Sequence, residues 1–336
     1  MKDMYDALLL VSFGAPESFD QVEPFLKRIT EGKNIPPDRL NEIVERYKTV
    51  GGISPLNSNI RILKQQLEIE LANRNIEIPI FIGHRNVEPL IDETINEMKT
   101  KGISRCLTWL ASPYSSYSSC RQYTENIKDA CSKIGADAPH IDQIRRHHDH
   151  PGLIEPAADC LRAALKELPS GEETALLFSA HSLPVSMAEA CQYEAEIHES
   201  ASLVANLVDP ENLFRKEVVW QSRSGSPSVP WLEPDINDKI KELASDGVKA
   251  LAVSPIGFPV ENFEILWDLD HEAANQAAAL GMSFSRAKTI NDDPRFVSMI
   301  GDLLCERTGE PTLAKAGLGD FSSELEKCEK SCCLSK

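Results

Sequence analysis

Positive charge is scarce in this chain of 336 residues. Lysine and arginine number 35 against 52 aspartate and glutamate residues, which leaves a formal net charge of −17 at pH 7. Nucleic-acid backbones and anionic lipid surfaces are bound through clusters of basic side chains. The charge balance therefore argues against a protein that binds nucleic acid non-specifically or docks on membranes through a polybasic surface.

Long apolar runs are missing as well. No segment approaches the roughly 20 apolar residues of a membrane helix, so we expect no integral membrane segment. The apolar run Ala7–Val11 is too short for a signal peptide, and Asp3 and Asp6 stand where a signal peptide carries positive charge. We interpret this segment as the first buried strand of a cytoplasmic protein.

Three motifs of common α/β proteins are also absent. The chain contains no G-x-x-x-x-G-K-[ST] loop, no G-x-G-x-x-G after a strand and no G-x-S-x-G elbow. Gly14 and the pair Gly51-Gly52 are interpreted as turn glycines. The sequence therefore indicates neither a nucleotide-binding protein nor an α/β-hydrolase.

Short apolar runs alternate along the chain with longer amphipathic stretches. The candidate strands are Ala7–Phe13, Ile78–Gly83, Arg105–Ser112, Ala175–Ala180, Glu217–Ser222 and Ala250–Pro255. Apolar strands separated by helices are typical of βαβ units, in which a parallel sheet is covered on both faces. The pattern predicts an α/β fold that binds its ligand at the carboxyl ends of the strands.

The chain has two halves of similar design. Leu8–Pro16 opens the first and Leu176–Pro184 the second, and each is an apolar strand that ends in serine and a short turn. The similarity places Phe13 and His181 near equivalent strand ends.

A polar stretch, Arg145–Gly152, marks the predicted boundary between the halves. We predict a first domain of residues 1–148, a second of residues 149–308 and a tail of residues 309–336. The histidines of the boundary have no cysteine neighbours and no helical spacing, which indicates a solvated linker rather than a metal site. They are His147, His148 and His150.

Two groups of polar side chains follow predicted strands. His181 ends an apolar strand, where a neutral imidazole would bind metal or accept a proton in the cleft; a core or capping histidine is the alternative. Glu264, Asp268 and Glu272 recur every four residues and would share one helix face. Carboxylates that cannot all ionise have raised pKa values and suit a cation or a proton relay; a solvated acidic face is the alternative.

Two loops carry further candidates. Arg46 and Tyr47 precede a glycine pair and Ser54, in a loop that would bind a carboxylate through the arginine or would merely cap a helix. The small residues of Pro113–Tyr123 would let a flat ligand approach the chain. Neither loop by itself identifies a ligand.

Cysteine is frequent, and three cysteines stand in the last nine residues. The chain has nine in all, and a disulfide framework is not expected in a reducing compartment. Cys328, Cys332 and Cys333 need one further thiolate to complete a tetrathiolate site for zinc or a [2Fe–2S] cluster. The sequence indicates a metal site and leaves the metal open.

Taken together, these segments resemble the ferrochelatase family over nearly the whole chain, most closely its soluble bacterial coproporphyrin III branch. The motifs are Ser12–Pro16, Gly51–Asn57, Ser179–Pro184, Pro255–Phe258 with Glu264–Asp268, and Trp220–Ser222 with Pro230–Leu232. The resemblance implies two Rossmann-like domains whose parallel sheets face a central cleft. It also implies insertion of Fe²⁺ into a porphyrin, with release of two protons.

The resemblance implies roles for the candidate residues. His181 and Glu264 match the family's metal-binding and catalytic pair, while Asp268 and Glu272 match an acidic relay that carries iron in or protons out. The implied substrate contacts are Ser54, Tyr123, Arg46, Tyr47 and Phe13.

Two positions depart from the pattern of some relatives. Phe13 stands where some relatives have a tyrosine that ligates iron, and phenylalanine cannot do so. Thr30 stands where some have an arginine, so one propionate contact is not expected. We therefore interpret Phe13 as a packing wall of the cleft.

Many ferrochelatases carry a [2Fe–2S] cluster on tail cysteines and one internal cysteine. By that resemblance, the predicted ligands are Cys160, Cys328, Cys332 and Cys333. The implied partners are the porphyrin, Fe²⁺ and other enzymes of haem biosynthesis.

The predicted substrate depends on a missing apolar lip. Membrane-associated relatives surround the cleft with apolar residues and accept protoporphyrin IX from lipid, whereas region 30–50 of this chain is rich in charged residues. A polar mouth favours the tetracarboxylate coproporphyrin III, with protoporphyrin IX as the alternative. A cobalt or nickel chelatase and a non-catalytic haem or porphyrin carrier rank below both.

Overall fold

Two parallel sheets form the framework of the computed structural model, which describes residues 5–32, 36–225, 228–308, 317–319 and 332–334. The strands of the first sheet are β1 (Ala7–Ser12), β2 (Ile80–His84), β3 (Arg105–Leu110) and β4 (His140–Gln143). Those of the second are β5 (Thr174–His181), β6 (Arg215–Gln221), β7 (Ala250–Ser254) and β8 (Ser283–Arg286). The spatial orders are β2-β1-β3-β4 and β6-β5-β7-β8, so the two halves share one topology.

Helices cover both faces of each sheet. Those of the first half are α1 (Val22–Ile29), α2 (Pro37–Thr49), α3 (Leu56–Asn73), α4 (Ile91–Thr100) and α5 (Gln122–Ile134). They are followed by α6 (Pro151–Glu167), α7 (Val185–Ala188), α8 (Tyr193–Val208), α9 (Ile236–Ser245), α10 (Ala274–Ala279) and α11 (Pro294–Thr308). Among the described helices, none is long and apolar enough to cross a membrane.

The central strands read as unbroken apolar runs because both of their faces are buried. In β1, Leu8 and Leu10 pack into the core beneath α3 and α6, whereas Leu9 and Val11 pack on the opposite face beneath α4 and α5. Side chains of a strand alternate between its two faces, so each of these residues fills one core only. The α/β fold predicted from the sequence is confirmed.

The last helix joins the two halves. α11 packs against α6 beside the second sheet and also against α3 beside the first. Phe296 of α11, Leu8 of β1 and Phe178 of β5 belong to one continuous apolar core. The strand ends of the two sheets are therefore held in a fixed relation.

The edge strands β4 and β8 are not predicted by the sequence patterns. Each has only four residues and alternates polar with apolar side chains that are largely half-buried. An edge strand pairs on one side only, so it needs little apolar surface and leaves a weak signal.

The boundary histidines contradict the predicted solvated linker. His147, His148 and His150 are all at most 2% exposed, so that prediction is wrong. The chain passes beneath the tail and α8 as it runs from β4 to α6: His148 Nε2 lies 2.8 Å from Glu199 Oε2, and Asp149 O accepts a hydrogen bond from the backbone of Leu318. Burial lowers the pKa of His147 to about 3 and that of His150 to about 4, because a charged imidazole loses its hydration there. The predicted boundary at 148/149 lies between β4 and α6 and stays a prediction.

Candidate active site

His181 is the last residue of β5, the strand beside β7 in the second sheet. Its Nδ1 lies 2.5 Å from the carbonyl oxygen of Ser182, and a carbonyl only accepts, so Nδ1 carries the proton and donates it. The lone pair of Nε2 is then free to accept a proton or a metal. Tyr193 fixes the strand end by donating its hydroxyl to His181 O at 2.9 Å.

Glu264 reaches His181 because β7 runs parallel to β5 and ends at the same edge of the sheet. The turn after β7 is pinned to β5: Gly257 N donates to Ser179 O at 3.0 Å, and a Cβ at Gly257 would lie 2.6 Å from that of Ala180. Only glycine, which has no Cβ, fits at position 257. Glu264 Oε1 lies 3.6 Å from His181 Nε2, and both side chains are partly exposed.

Glu264, Asp268 and Glu272, called the acidic column below, lie at and along a π-helix, Ile265–Ala273, rather than on an α-helix; Glu264 directly precedes it. Asp268 is 7% exposed and accepts hydrogen bonds at Oδ2 from the Ser222 hydroxyl and from Gln221 Nε2. Burial, helped by the negative charges of Glu264 and Glu272, raises the pKa of Asp268 to about 7, and the hydrogen bond from Ser222 acts in the opposite direction. The three predicted carboxylates are thus close enough to influence one another, as the sequence indicated.

Arg46 and Tyr47 of α2 contact the π-helix side of the molecule. Arg46 Nη2 lies 3.7 Å from Glu272 Oε1, and its guanidinium carbon lies 5.2 Å from the centre of the Trp267 ring. Tyr47 stacks on Phe263 with the ring centres 3.6 Å apart and the planes within 4° of parallel. The first half therefore contacts the acidic column directly.

Tyr47 and Tyr123 are buried phenols beside Glu264. Burial raises both pKa values, and the negative charge of Glu264 raises them further. Both phenols therefore stay protonated at neutral pH, so that they can donate hydrogen bonds but cannot act as anions. Tyr123 lies on α5, in the loop and helix that follow β3.

Phe13 and Arg85 lie together at the strand ends of the first sheet. Phe13 follows β1 and is 38% exposed, and the guanidinium carbon of Arg85 lies 5.7 Å from the centre of its ring. Asn86 Nδ2 holds the turn by donating to Phe13 O at 3.0 Å. The sequence patterns did not single out Arg85, although its place directly after β2 puts it at the same sheet edge as Phe13.

Ser54 has a local structural partner. It is 4% exposed, its backbone N–H donates to Pro16 O at 2.9 Å, and its hydroxyl accepts a hydrogen bond from Leu56 N at 3.4 Å where α3 begins. Next to it, Asn57 pairs with both backbone groups of Ala15. In this structure, the Gly51–Asn57 motif thus shapes the turn beneath Phe13.

The site offers few ligands to a cation. In the part of the chain that the structure describes, no group of three or more histidine, cysteine, aspartate or glutamate side chains is arranged to hold a metal ion. His181 and Glu264 are two donors, and Phe13 has none.

The comparison with protein families decides what this arrangement is. The family model described as Ferrochelatase matches residues 5–308, which include every strand and helix given above. The chain belongs to the ferrochelatase family. It is therefore a metal chelatase, and its substrates are a porphyrin and iron.

Curated relatives of this ferrochelatase are similar over most of its length. "Coproporphyrin III ferrochelatase" of Mycolicibacterium vanbaalenii is 43% identical and covers 91% of both chains. The protein of the same name from Nocardia farcinica is 42% identical, with 90% of this chain and 88% of the relative covered. "Ferrochelatase" of Rhodopirellula baltica is 41% identical over 98% of this chain and 93% of its own.

A solved structure supports the fold. The structure "SirB from Bacillus subtilis with Fe3+" aligns with a TM-score of 0.53 and 11% identity, covering 96% of this ferrochelatase and all of SirB. At that identity the likeness concerns the fold alone. It agrees with the α/β fold described above.

The cysteines of this ferrochelatase fall into two regions. Cys333 is buried in the core formed by α4, α5 and the first sheet, together with Cys120, and Cys191 and Cys332 pack against the same core. Cys332 Sγ lies 3.3 Å from Cys333 Sγ, whereas a disulfide spans about 2 Å, so both thiols are free. Cys328 lies outside the described residues.

Cys160 lies in the other region. It is a half-buried residue of α6 that packs against the large core shared by the two halves. The charges that act on its thiol belong to Asp293, Asp159, Arg295 and Lys288. The structure therefore does not bring Cys160 together with Cys332 and Cys333, in contrast to the ligand set predicted from the sequence.

Proposed function

We propose that this ferrochelatase inserts Fe²⁺ into coproporphyrin III, giving Fe-coproporphyrin and two protons in haem biosynthesis. The names of the relatives from Mycolicibacterium and Nocardia support this substrate. The character of α2 also supports it, because Asp38, Arg39 and Glu42 are all exposed at its start and Arg39 pairs with Glu42. Such a charged helix lacks the apolar lip that docking on a lipid surface would need.

The observation that carries the proposal is the His181–Glu264 pair. The porphyrin must lose two N–H protons before its nitrogens can bind iron, and the free Nε2 of His181 is the base that accepts them. Glu264, 3.6 Å away, stabilises the imidazolium that forms and takes over its proton. Both side chains are also the weak ligands that hold Fe²⁺ before transfer.

Asp268 and Glu272 carry protons away from the pair. A carboxyl with a pKa of about 7 gains and loses a proton with equal ease at neutral pH, as a relay group must. Asp268 lies one turn of the π-helix beyond Glu264, and Glu272 lies one turn further and is partly exposed. The same column gives Fe²⁺ an acidic path in the opposite direction.

The remaining predicted residues position the porphyrin. Arg46 supplies a cation for a propionate in place of its weak contact with Glu272, and Tyr47 and Tyr123 supply neutral phenols. Phe13 packs against the face of the ring opposite His181. Ser54 acts on the substrate through the turn that it stabilises.

We also propose that the chain carries a [2Fe–2S] cluster on its tail and is cytoplasmic. Eight described cysteines are free thiols, as is usual in a reducing compartment. Of the proposed tail ligands, Cys332 and Cys333 fall within the described residues with their Sγ atoms 3.3 Å apart, and thiols are the ligands that such a cluster takes. When bound, the cluster supplies a one-electron centre, and no step of metal insertion uses it.

The test is anaerobic insertion of Fe²⁺ by the purified protein, with coproporphyrin III and protoporphyrin IX in separate assays. We expect coproporphyrin III to be metallated with the higher kcat/KM. Preference for protoporphyrin IX would overturn the proposed substrate. His181→Ala is the control: it should abolish insertion while porphyrin binding, followed by fluorescence, persists, whereas a carrier would show no insertion with either protein.

A further inference from the structure

We propose that Arg85 binds a carboxylate of the porphyrin that Arg46 does not reach, and that this contact selects a porphyrin with four carboxylates over one with two. This proposal rests on the function proposed above and deepens it, because it names the residue that distinguishes coproporphyrin III from protoporphyrin IX. Arg85 has no other part in the reaction proposed above.

Arg85 is a cation without a counter-ion. In the part of the chain that the structure describes, its guanidinium makes no hydrogen bond and no ion pair, although the side chain is half-buried. Burial lowers the pKa of Arg85 because the charge loses hydration, and a carboxylate beside it would offset that loss. Three other arginines of the first half each have a carboxylate partner: Arg46 with Glu272, Arg61 with Glu17 and Arg121 with Glu125. Because buried charges are normally paired, we infer that the partner of Arg85 is an anion from outside the chain.

The backbone holds Arg85 firmly at the edge of the first sheet. Its N–H donates to Ser12 O at 3.0 Å, and the N–H of the following residue, Asn86, donates to Phe13 O at 3.1 Å. Just before it, His84 Nδ1 lies 2.8 Å from Ser12 Oγ. A residue whose neighbours are already fixed loses little conformational freedom when its side chain binds a ligand. Arg85 is thus a preorganised cation at the end of β2.

Arg85 lies beside the ring on which the porphyrin is proposed to pack. Its guanidinium carbon is 5.7 Å from the centre of the Phe13 ring, and Phe13 is 38% exposed. The carboxylates of a porphyrin extend from the rim of the flat macrocycle. A macrocycle packed on Phe13 therefore brings its rim towards Arg85, and the planar guanidinium can bind a carboxylate through two parallel hydrogen bonds.

Arg85 and Arg46 lie at opposite ends of a run of aromatic rings. The ring centres of Phe13 and Phe25 are 6.1 Å apart, and those of Phe25 and Tyr47 are 6.5 Å apart. Arg85 contacts Phe13 at one end, and Arg46 directly precedes Tyr47 at the other. Two arginines placed in this way suit carboxylates on different sides of a macrocycle.

This separation determines which porphyrin benefits from Arg85. The two propionates of protoporphyrin IX lie on neighbouring pyrroles and leave the macrocycle on one side. Coproporphyrin III carries the same two and, in place of the vinyl groups, two more on the other side. If Arg46 takes a propionate that both porphyrins have, Arg85 meets a propionate only in coproporphyrin III and a vinyl group in protoporphyrin IX.

A purely structural role is the alternative, in which Arg85 only stabilises the Phe13 ring. Arg105 provides a matched control, because its guanidinium carbon lies 4.9 Å from the centre of the Tyr5 ring. Arg105 begins β3, whereas Arg85 follows the last residue of β2, so the two arginines lie at opposite edges of one parallel sheet. A structural contact would affect stability in both cases and would not distinguish two porphyrins.

The test compares Arg85→Leu, Arg85→Lys and Arg105→Leu in the full-length protein, with each porphyrin in turn. Fluorescence titration without iron gives Kd, and anaerobic insertion of Fe²⁺ gives KM and kcat. For Arg85→Leu we expect Kd and KM for coproporphyrin III to rise about tenfold or more, kcat to change less than about threefold, and Kd for protoporphyrin IX to stay within about threefold. Arg85→Lys keeps the charge but not the planar fork, so its loss should be intermediate, about threefold. Arg105→Leu should leave every value within about threefold of the wild type.

The dependence on salt gives a second measurement. The ratio of Kd for coproporphyrin III between Arg85→Leu and the wild type should fall as NaCl is raised from about 50 mM to about 1 M, because salt screens the charged contact. The net charge of −17 affects both proteins nearly alike, so the ratio removes its contribution. A ratio that does not change with salt would show that packing rather than charge is lost, and would overturn the proposal.

The remaining outcomes are equally decisive. Equal losses of affinity for the two porphyrins in Arg85→Leu, or a lower unfolding free energy with both Kd values unchanged, would overturn the role of Arg85 in selection. A wild-type protein that inserts iron preferentially into protoporphyrin IX would refute the proposed substrate. The titrations without iron would still decide whether Arg85 binds a carboxylate that only coproporphyrin III has.

Discussion

The raised pKa of Asp268 makes a quantitative prediction about stability. Its carboxyl is 7% exposed, and both of its donors, the Ser222 hydroxyl and Gln221 Nε2, bind the same oxygen. Asp268→Asn keeps an oxygen for these donors and removes the charge. We therefore expect the variant to be more stable than the wild type at pH 8 and less active, because the relay group is lost.

The magnitude follows from the pKa in the folded and unfolded chains. Burial raises the pKa of Asp268 from its ordinary 3.8 to about 7. Below about pH 3, the carboxyl is protonated in both states and adds no difference. Between pH 4 and 7, the unfolded chain holds fewer protons at this group than the folded chain, so wild-type stability falls as pH rises. Above pH 7 the full penalty applies, on the order of 4 kcal/mol for a pKa about three units too high.

The assay is urea unfolding of both proteins from pH 4.5 to 8.5, followed by tryptophan fluorescence. The difference in unfolding free energy should grow in favour of Asp268→Asn up to pH 7 and then level off. Asp238→Asn is the control, since Asp238 is 73% exposed and pairs with Lys241 at the surface; its effect should stay below about 1 kcal/mol at every pH. A difference for Asp268→Asn that does not change with pH would refute the reasoning.

Three further predictions concern other parts of the site. Arg46→Ala should raise KM for coproporphyrin III on the order of tenfold with kcat little changed, because one charged contact is lost; steady-state kinetics test this, and an unchanged KM contradicts it. Asn57→Ala should lower the unfolding free energy by about 3 kcal/mol, since both backbone groups of Ala15 lose their buried partner. Urea unfolding measures this, and an unfolding free energy equal to that of the wild type would contradict the prediction. Gly257→Ala should cost about 1–3 kcal/mol and lower kcat, because its methyl group would press on Ala180 and displace the turn beside His181; wild-type values for both would show that the turn adapts.

Local patterns are sufficient for the framework of the fold. β1 and β5 were recognised because each is an unbroken apolar run, and both proved to be central strands buried on two faces. β4 and β8 escaped because an edge strand of four residues buries too little to leave a pattern. Hydrophobic periodicity shows which residues are buried. It therefore reveals a paired strand only where that strand is also buried.

The candidate site was predicted in part for the same reason. His181 ends a recognisable strand, and Glu264, Asp268 and Glu272 repeat every four residues, so that both features are visible along the chain. Arg85 was missed because a single arginine after a short strand has no pattern of its own. Only its distance to Phe13 across the sheet edge reveals it.

The histidines of the boundary show how burial can contradict composition. A stretch with two arginines and three histidines resembles a solvated linker, yet the stretch is enclosed where the two halves and residues 317–319 meet. A polar stretch is exposed to solvent only when no distant segment packs over it. The enclosure of His147 depends on segments far away in the sequence.

The sequence by itself determined the strand-and-helix alternation, the duplicated design and the residue types at the strand ends, because each of these depends on neighbours within about ten positions. Only the tertiary structure decided which of those residues meet. It set the 3.6 Å approach of His181 to Glu264, which depends on β5 lying beside β7, and it raised the pKa of Asp268 through burial. It also placed Cys333 in the same apolar core as Cys120, whereas Cys160 packs against the other large core. Contacts between distant segments follow from how sheets and helices pack, and spacing along the chain does not contain that information.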